Sequence, residues 1–306
     1  MSATTSTAMP ALASPRGLLL GAAAYTLFSI HDALVKAVVS DLPVPEILLL
    51  RSIVIALICL GMGRGRVVAG LIHSDSKHKI LGRAVLTLAA WVMYYSQASH
   101  MTLAKMTTLY YFAPVLTMVL AVVFLKEKLT LARAGAASIG FFGVLVACDP
   151  AGIEIGWPTI FVLSAAFCWA VASILMRSIS RGESALVQVL ALNLFNIMVM
   201  SFFVLGNWHP IGWRDFAFII AAGVVGGSGQ YVLVEAARRV PAGVLGTVEY
   251  SSLVWAFVLG YLFWGEKPVA AVYLGALLIV MAGLLVAWSE TRNRRILALA
   301  DAPAGS

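Results

Sequence analysis

The sequence predicts an all-α membrane protein with ten transmembrane helices. Hydrophobic residues make up 61% of the 306 residues and charged residues only 11%, whereas soluble domains average about 45–50% and about 25%. The mean hydropathy is +0.94, so the chain has too little polar surface to cover a soluble globule. Ten spans of roughly 20 residues use about two thirds of the chain. The remainder suffices for tails and short loops, but not for an extramembrane catalytic domain.

Apolar stretches separated by proline, glycine and charged residues place the ten helices. We expect the first five at about 17–39, 45–63, 79–100, 103–124 and 130–148. The second five are expected at about 155–178, 184–206, 212–237, 241–262 and 268–288. The predicted organisation is therefore a disordered cytoplasmic tail, two five-helix repeats and a second cytoplasmic tail, with bounds 1–16, 17–148, 149–288 and 289–306.

The basic residues orient the bundle. Alternate connections contain only Lys105, Arg214 and Lys267, whereas the other set is rich in lysine and arginine. That other set comprises Arg16, Arg64, Arg66, Lys77, Lys79, Arg83, Lys126, Lys128, Arg133, Arg177, Arg181, Arg238, Arg239, Arg292, Arg294 and Arg295. Positive loops stay in the cytoplasm, so both termini are predicted to be cytoplasmic. Both termini lie on the same side only if the number of spans is even, and the ten predicted spans meet this requirement.

Segment 101–148 resembles segment 240–288, which indicates an internal repeat. The stretch from Phe124 to Lys128 aligns with the stretch from Phe263 to Lys267, and Tyr111 aligns with Tyr250. After a one-residue shift, Gly135 and Gly143 align with Gly275 and Gly283. Because each half has an odd number of spans, the two halves must cross the membrane in opposite senses. Inverted repeats are typical of secondary transporters, in which a shared central site opens alternately to each face.

These features resemble the EamA-type drug/metabolite transporter superfamily. The resemblance covers about residues 17–288 and rests on the ten spans, the repeated junction with its Glu127 and Glu266, and Arg51 and Pro114. The aromatic positions at mid-membrane are similar to those of the bacterial YddG-type exporters of aromatic amino acids. The resemblance implies a basket-like bundle around a central cavity, a bacterial inner membrane, and substrate leaving the cytoplasm. Leu253 replaces a proline at the position matching Pro114, so a kink is expected only in the first half.

Ionisable residues deep in apolar spans are costly and therefore need a partner, a cavity or a function. His31 and Asp32 lie in helix 1, where Asp32 and Lys36 are one turn apart and can pair. Arg51 in helix 2 can clamp a substrate carboxylate or tie helices together, and we favour the tie. Glu249 in helix 9 can hold a substrate ammonium or a proton, or join helices.

Aromatic side chains cluster at comparable depth. Trp91, Tyr94 and Tyr95 share one face of helix 3, and their polar atoms should turn away from lipid. They either line a cavity or pack between helices. The full set of predicted substrate-binding residues is Trp91, Tyr94, Tyr95, Tyr111, Trp169, Tyr231, Glu249, Tyr250, Ser251 and His31. The predicted structural or gating residues are Asp32, Lys36, Arg51, Pro114, Gly223 and Gly227, the two glycines allowing close helix approach or a hinge.

The combined prediction is a secondary transporter that exports small amphipathic metabolites, amino acids including aromatic ones, by alternating access. Other cargo, such as a nucleobase or a drug-like cation, is the main alternative. A membrane-embedded enzyme or a channel is less favoured, because no catalytic motif or symmetric ring of like groups is present. The expected partners are a small-molecule substrate and membrane lipid. We expect no cofactor, metal or nucleic acid, and the oligomeric state is open, with a monomer acceptable.

Overall fold

The computed structural model describes residues 14–39, 41–97, 109–127, 129–148, 156–206, 208–265 and 270–300, and this part of the chain is all-helical. The expected disordered tail at 1–16 falls outside it up to residue 13. The helices of the first half are α1 Pro15–Lys36, α2 Val44–Ile72, α3 Lys77–Tyr95, α4 Ala113–Leu125 and α5 Leu131–Cys148. Those of the second half are α6 Trp157–Ile179, α7 Ala185–Val204, α8 Trp213–Ala237, α9 Ala242–Glu249, α10 Ser251–Trp264 and α11 Ala270–Ala300.

Helix ends follow local sequence rules. Ser14 caps α1, its hydroxyl accepting a hydrogen bond from the Gly17 N–H at 2.9 Å, and Pro15 begins the helix. Ser184 caps α7 in the same way. At C-terminal helix ends, Lys126 follows α4 and Gly265 follows α10, and both residues adopt the left-handed conformation. These two residues occupy matched positions of the repeated junction.

Three helices depart from the predicted bounds. The helix α2 continues to Ile72, but Arg64 interrupts it with φ of 49°, one residue after the expected end. The last helix extends to Ala300, well beyond position 288. The predicted ninth span is broken at Tyr250 into α9 and α10. The chain also turns at the aligned Tyr111, just before α4, so matched breaks occur although only the first half has a proline there.

Seven segments of the described residues are long and apolar enough to cross a membrane. They comprise α1, α2, α6, α7, α8, the combined α9 and α10, and Tyr273–Asn293 within α11. Within the described residues, α4 and α5 are shorter apolar helices, and α3 begins with three basic residues among its first seven. The protein is therefore an all-helical, multi-pass membrane protein.

The most extensive contacts between helices follow a regular scheme. They join α1 to α8, α3 to α6, α2 to α7, and α5 to α11, while α4 packs against α9. Exchanging each helix of one half for its counterpart in the other converts the α1–α8 pair into the α6–α3 pair and leaves the α2–α7 and α5–α11 pairs unchanged. The helix packing therefore has an approximate two-fold relationship between the halves.

Glycines allow α8 to approach its neighbours closely. A Cβ on Gly223 would lie 2.7 Å from Val54 Cβ, and one on Gly227 would lie 3.0 Å from Ile55, so both face α2. A Cβ on Gly226 would lie 2.6 Å from the His31 ring of α1. Of the two roles predicted for Gly223 and Gly227, close helix approach is the one that the geometry displays.

The bundle has two ends, named here by the helices that connect there. At the α2–α3 end, several contacts link the two halves. Ser74 donates to Glu183, and Glu127 accepts from the Ala242 N–H at 2.9 Å. Within the second half, the Arg177 guanidinium donates to the Ala237 carbonyl. At the α1–α2 end, the Glu46 carboxylate accepts from His209 Nδ1 at 2.7 Å.

Candidate functional site

A large cavity of about 660 Å³ lies among α1, α2, α3, α6, α8 and the α9–α10 segment. This volume is within the range of about 300–1,000 Å³ that is usual for small-molecule sites. Its lining reaches the partly exposed Val39 and Trp264 at the α1–α2 end. In the other direction it ends at the buried Arg83 and Met176. The cavity is therefore deep toward the α2–α3 end and approaches the surface at the α1–α2 end.

One face of α1 supplies much of the polar lining. Tyr25, Ser29, Asp32 and Lys36 recur at intervals of three and four residues and all line the cavity, because such spacing places side chains on one face of a helix. The Lys36 ammonium lies 4.4 Å from the centre of the Trp264 ring, where a cation–π contact forms.

Glu249 is the acid in the interior of the cavity. It is the last residue of α9, and its carboxylate is 6% exposed. One oxygen accepts a hydrogen bond from Trp169 Nε1 at 2.9 Å, and the other accepts from the Tyr25 hydroxyl at 3.3 Å. The Ser252 hydroxyl caps the broken helix by donating to the Glu249 carbonyl at 2.7 Å. Breaks between half-helices are typical of transporter binding sites.

The second polar cluster links α1 to α2. Arg51 is 3% exposed, and its Nη1 lies 2.6 Å from His31 Nε2. On the other side of the imidazole, Nδ1 lies 3.0 Å from Asp32 Oδ1. The Trp91 ring covers the guanidinium, with its centre 4.4 Å from the Arg51 Cζ. Arg51 and Asp32 are therefore connected indirectly, through His31.

An aromatic wall joins the two polar clusters. The rings of Tyr95, Tyr94, Tyr110 and Tyr111 follow one another with centroid separations between 4.9 and 6.4 Å. All four line the cavity, and the Tyr111 hydroxyl lies 2.5 Å from the Ser252 hydroxyl. Such rings can stack on an aromatic ligand, while the phenols supply hydrogen bonds.

The structure brings most of the predicted residues together. His31, Asp32, Lys36, Arg51, Trp91, Tyr94, Tyr95, Tyr111, Trp169 and Glu249 line the cavity. The others lie elsewhere: Tyr231 packs against the main apolar core, Tyr250 is fully buried against Gly140 and Tyr111, and Ser251, Pro114, Gly223 and Gly227 are outside the lining. Sequence reasoning missed Tyr25, the second donor to Glu249. The spacing of polar residues along α1 was the signal that would have found it.

The described residues contain no group of three or more His, Cys, Asp or Glu side chains placed to hold a metal ion. The lining of the cavity offers stacking, hydrogen bonding and ion pairing to an organic ligand. The site has an acid at one polar cluster and a guanidinium at the other, separated by aromatic rings.

Comparison with known proteins gives related transporters. The pseudopaline exporter CntI of Pseudomonas aeruginosa is 26% identical over 289 residues, which cover 90% of this chain and 97% of that protein. An uncharacterized transporter of Helicobacter pylori is 30% identical over 219 residues, covering 68% of this chain and 73% of that protein. A riboflavin transporter of Vibrio cholerae is 27% identical over 177 residues, covering 56% and 58%.

A solved crystal structure shares the fold. It has a TM-score of 0.77 and 19% sequence identity, and the match covers 90% of this chain and 98% of that chain. The EamA-like transporter family matches residues 15–148 and again residues 156–288. Together these two matches include almost all of the described helices. The chain therefore belongs to the EamA-like transporter family, and it is a multi-pass membrane transporter rather than an enzyme.

Proposed function

We propose that this transporter exports small amphipathic metabolites, amino acids including aromatic ones, by alternating access. The observation that supports this most directly is the cavity itself. It combines a wall of tyrosine and tryptophan rings with the Glu249 carboxylate held at a break between half-helices. Aromatic rings suit the side chain of the cargo, and a buried carboxylate suits its ammonium group.

The proposed topology has ten spans in two inverted halves, 17–148 and 149–288, in a bacterial inner membrane with both termini in the cytoplasm. The distribution of lysine and arginine supports this orientation. The α1–α2 end is then the outer end, and the cavity that approaches it belongs to an outward-facing state. The contacts of Glu127 with Ala242 and of Ser74 with Glu183 close the cytoplasmic end in this state.

The proposed binding residues are those predicted residues that line the cavity. Trp91, Tyr95 and Trp169 contact the cargo's side chain, and Glu249 binds its ammonium. Tyr231, Tyr250 and Ser251 support helix packing instead, because they are outside the lining. The alternative cargo classes, a nucleobase or a drug-like cation, use the same aromatic rings, and a cation also uses Glu249. Nucleobases and drug-like cations differ from amino acids in having no carboxylate.

The test is counterflow in proteoliposomes with a panel of amino acids, nucleobases and organic cations. We expect saturable exchange of aromatic amino acids, reduced at least fivefold by single replacement of Trp91, Tyr95 or Trp169 with alanine. Trp255→Phe is the matched control, because this tryptophan is 40% exposed and lies outside the lining. Exchange restricted to nucleobases or cations would refute amino acid export. Unaltered exchange in all three alanine variants would refute the site.

A further inference from the structure

The Arg51 guanidinium has unused hydrogen-bonding capacity. Arg51 is 3% exposed, and a guanidinium has five N–H donors. Nη1 is engaged with His31, but neither Nε nor Nη2 has a hydrogen-bond partner. A buried donor without a partner loses its hydration without compensation. This cost is unexpected for a residue whose only role is to tie two helices.

The two unpartnered nitrogens form one edge of the guanidinium. Nε–H and one Nη2–H point in the same direction, and together they match the two oxygens of a carboxylate. Nη1, which lies on the other edge, is the nitrogen held by His31. Arg51 lines the cavity together with Trp91, whose ring covers the guanidinium face. Trp91 therefore covers one face of the guanidinium, and His31 holds Nη1. The Nε–Nη2 edge, which matches a carboxylate, has no hydrogen-bond partner.

His31 positions this group. Arg51 is always protonated and can only donate, so His31 Nε2 must accept and the imidazole must be neutral. Its proton is then on Nδ1, which donates to Asp32 at 3.0 Å. Among the described residues of the neighbouring elements, Tyr95 on α3 interacts electrostatically with Arg51 and Asp32, and Tyr111 interacts with Asp32. The helix α8 presents Gly226 to the imidazole. The Asp32 carboxylate is thus engaged through His31 and leaves the Nε–Nη2 edge of Arg51 unoccupied.

We propose that Arg51 is a substrate-binding residue whose Nε–Nη2 edge accepts the carboxylate of the transported molecule, with His31 as its positioning residue. This inference rests on the proposed function and specifies it further. The site recognises a carboxylate at Arg51 and an ammonium at Glu249, with aromatic rings between. An organic cation or a nucleobase lacks the group that Arg51 is built to bind.

The experiment uses three ligands that share a phenyl ring. Phenylalanine has both charged groups, phenethylamine lacks the carboxylate, and 3-phenylpropanoate lacks the ammonium. Equilibrium dialysis of the detergent-solubilised full chain measures binding of each radiolabelled compound. We expect Arg51→Gln to weaken binding of the two carboxylates at least tenfold and that of phenethylamine less than threefold. Arg51→Lys keeps the charge but loses the two-nitrogen edge. It should also weaken binding of the two carboxylates more than that of phenethylamine, but by a smaller factor than Arg51→Gln.

Arg238 supplies the control. It is an arginine outside the cavity lining, and it donates to Glu235 at 3.2 Å. Arg238→Gln should leave the ratio of 3-phenylpropanoate to phenethylamine affinity unchanged. His31→Gln retains an acceptor for Nη1 and should keep that ratio near the wild-type value, whereas His31→Leu should lower it. A structural role alone would not alter this ratio.

The outcomes separate the two proposals. If the wild-type protein binds none of the three ligands, the proposed function is wrong and the Arg51 assignment fails with it. If it binds phenethylamine as tightly as phenylalanine, or if Arg51→Gln and Arg51→Lys weaken all three ligands equally, transport of aromatic compounds stands and the carboxylate site does not. Selective loss of the two carboxylates in either folded variant supports the site.

Discussion

A carboxylate in the interior of a membrane protein is retained only where the surroundings compensate its lost hydration. Glu249 receives hydrogen bonds from Trp169 and Tyr25, one on each oxygen. Each oxygen can accept a further hydrogen bond, so the group can hold a ligand's ammonium without releasing either donor. At the scale of the residue, this spare capacity on Glu249 and the unpartnered edge of Arg51 are what distinguish the cavity from ordinary helix packing.

Replacing Glu249 with glutamine tests its charge at nearly constant shape. The amide oxygen can still accept from Trp169, so we expect the fold to persist. A hydrogen bond to a charged group is worth about 1.5–3 kcal/mol, and the loss should therefore weaken phenethylamine and phenylalanine binding at least tenfold. Binding of 3-phenylpropanoate should change less than threefold, as measured by equilibrium dialysis. Glu235→Gln is the control, since Glu235 pairs with Arg238 and Arg239 outside the cavity. An equal effect on all three ligands would contradict the assignment.

The sequence predicted the ionisable members of the site better than their partners. His31, Arg51 and Glu249 are conspicuous because charged or titratable side chains are rare in apolar spans. Tyr25 and Tyr110 are not, since tyrosine occurs throughout membrane proteins and only the tertiary structure decides which rings face a cavity. For the same reason Tyr250, aligned with Tyr111, was predicted to bind substrate but fills the space above Gly140 instead.

Among the helices, the end of α4 and the start of α9 depend on each other. Pro241 precedes α9 and offers no side-chain cap, so the first N–H groups of α9 need partners from elsewhere. The Glu127 carboxylate supplies them, accepting from Ala242 N–H at 2.9 Å and from Gly243 N–H at 3.3 Å. Its negative charge also interacts favourably with the positive end of the helix dipole. A residue of the first half therefore caps a helix of the second.

Removing this cap should destabilise the conformation seen here. We expect Glu127→Ala to reduce stability by about 1 kcal/mol, the usual effect of losing an N-terminal cap. The measurement is thermal unfolding of the purified protein in detergent, where Glu127→Ala should melt at a lower temperature than wild type. Asp75→Ala removes an exposed acid at the same end and should melt like wild type. Equal melting of Glu127→Ala and wild type would show that the cap contributes little.

The repeated junction was predictable from sequence, but the break at Tyr250 was not. Lys126 and Gly265 are aligned in the sequence, and in the structure both adopt the left-handed conformation at the ends of α4 and α10. At Tyr250 neither proline nor glycine marks the interruption. The Ser252 hydroxyl instead satisfies the Glu249 carbonyl, and the Tyr250 ring occupies the place where Gly140 lacks a side chain. Both contacts depend on the folded arrangement, so local sequence rules do not detect them.

For the whole molecule, the central question is how two similar halves are placed in the membrane. The helix pairs α1–α8 and α3–α6 exchange when the halves are interchanged, whereas α2–α7 and α5–α11 are preserved. A two-fold relationship of this kind allows either half to adopt the conformation of the other. Such an exchange would close the α1–α2 end and open the α2–α3 end, which is the basis of alternating access in inverted-repeat transporters.

Inverted halves require the two copies of the charged junction to lie on opposite sides of the membrane, and labelling tests this directly. Single cysteines replace Lys128 or Lys267 in a chain whose Cys59, Cys148 and Cys168 are changed to alanine. A membrane-impermeant maleimide added to intact cells should label Lys267→Cys and not Lys128→Cys, because only the second junction is expected outside. Ser306→Cys, in the tail that we expect in the cytoplasm, is the control and should react only after permeabilisation, together with Lys128→Cys. If both junctions react from the same side, the halves are not inverted. The outward-facing assignment of the cavity, which depends on their orientation, then fails as well.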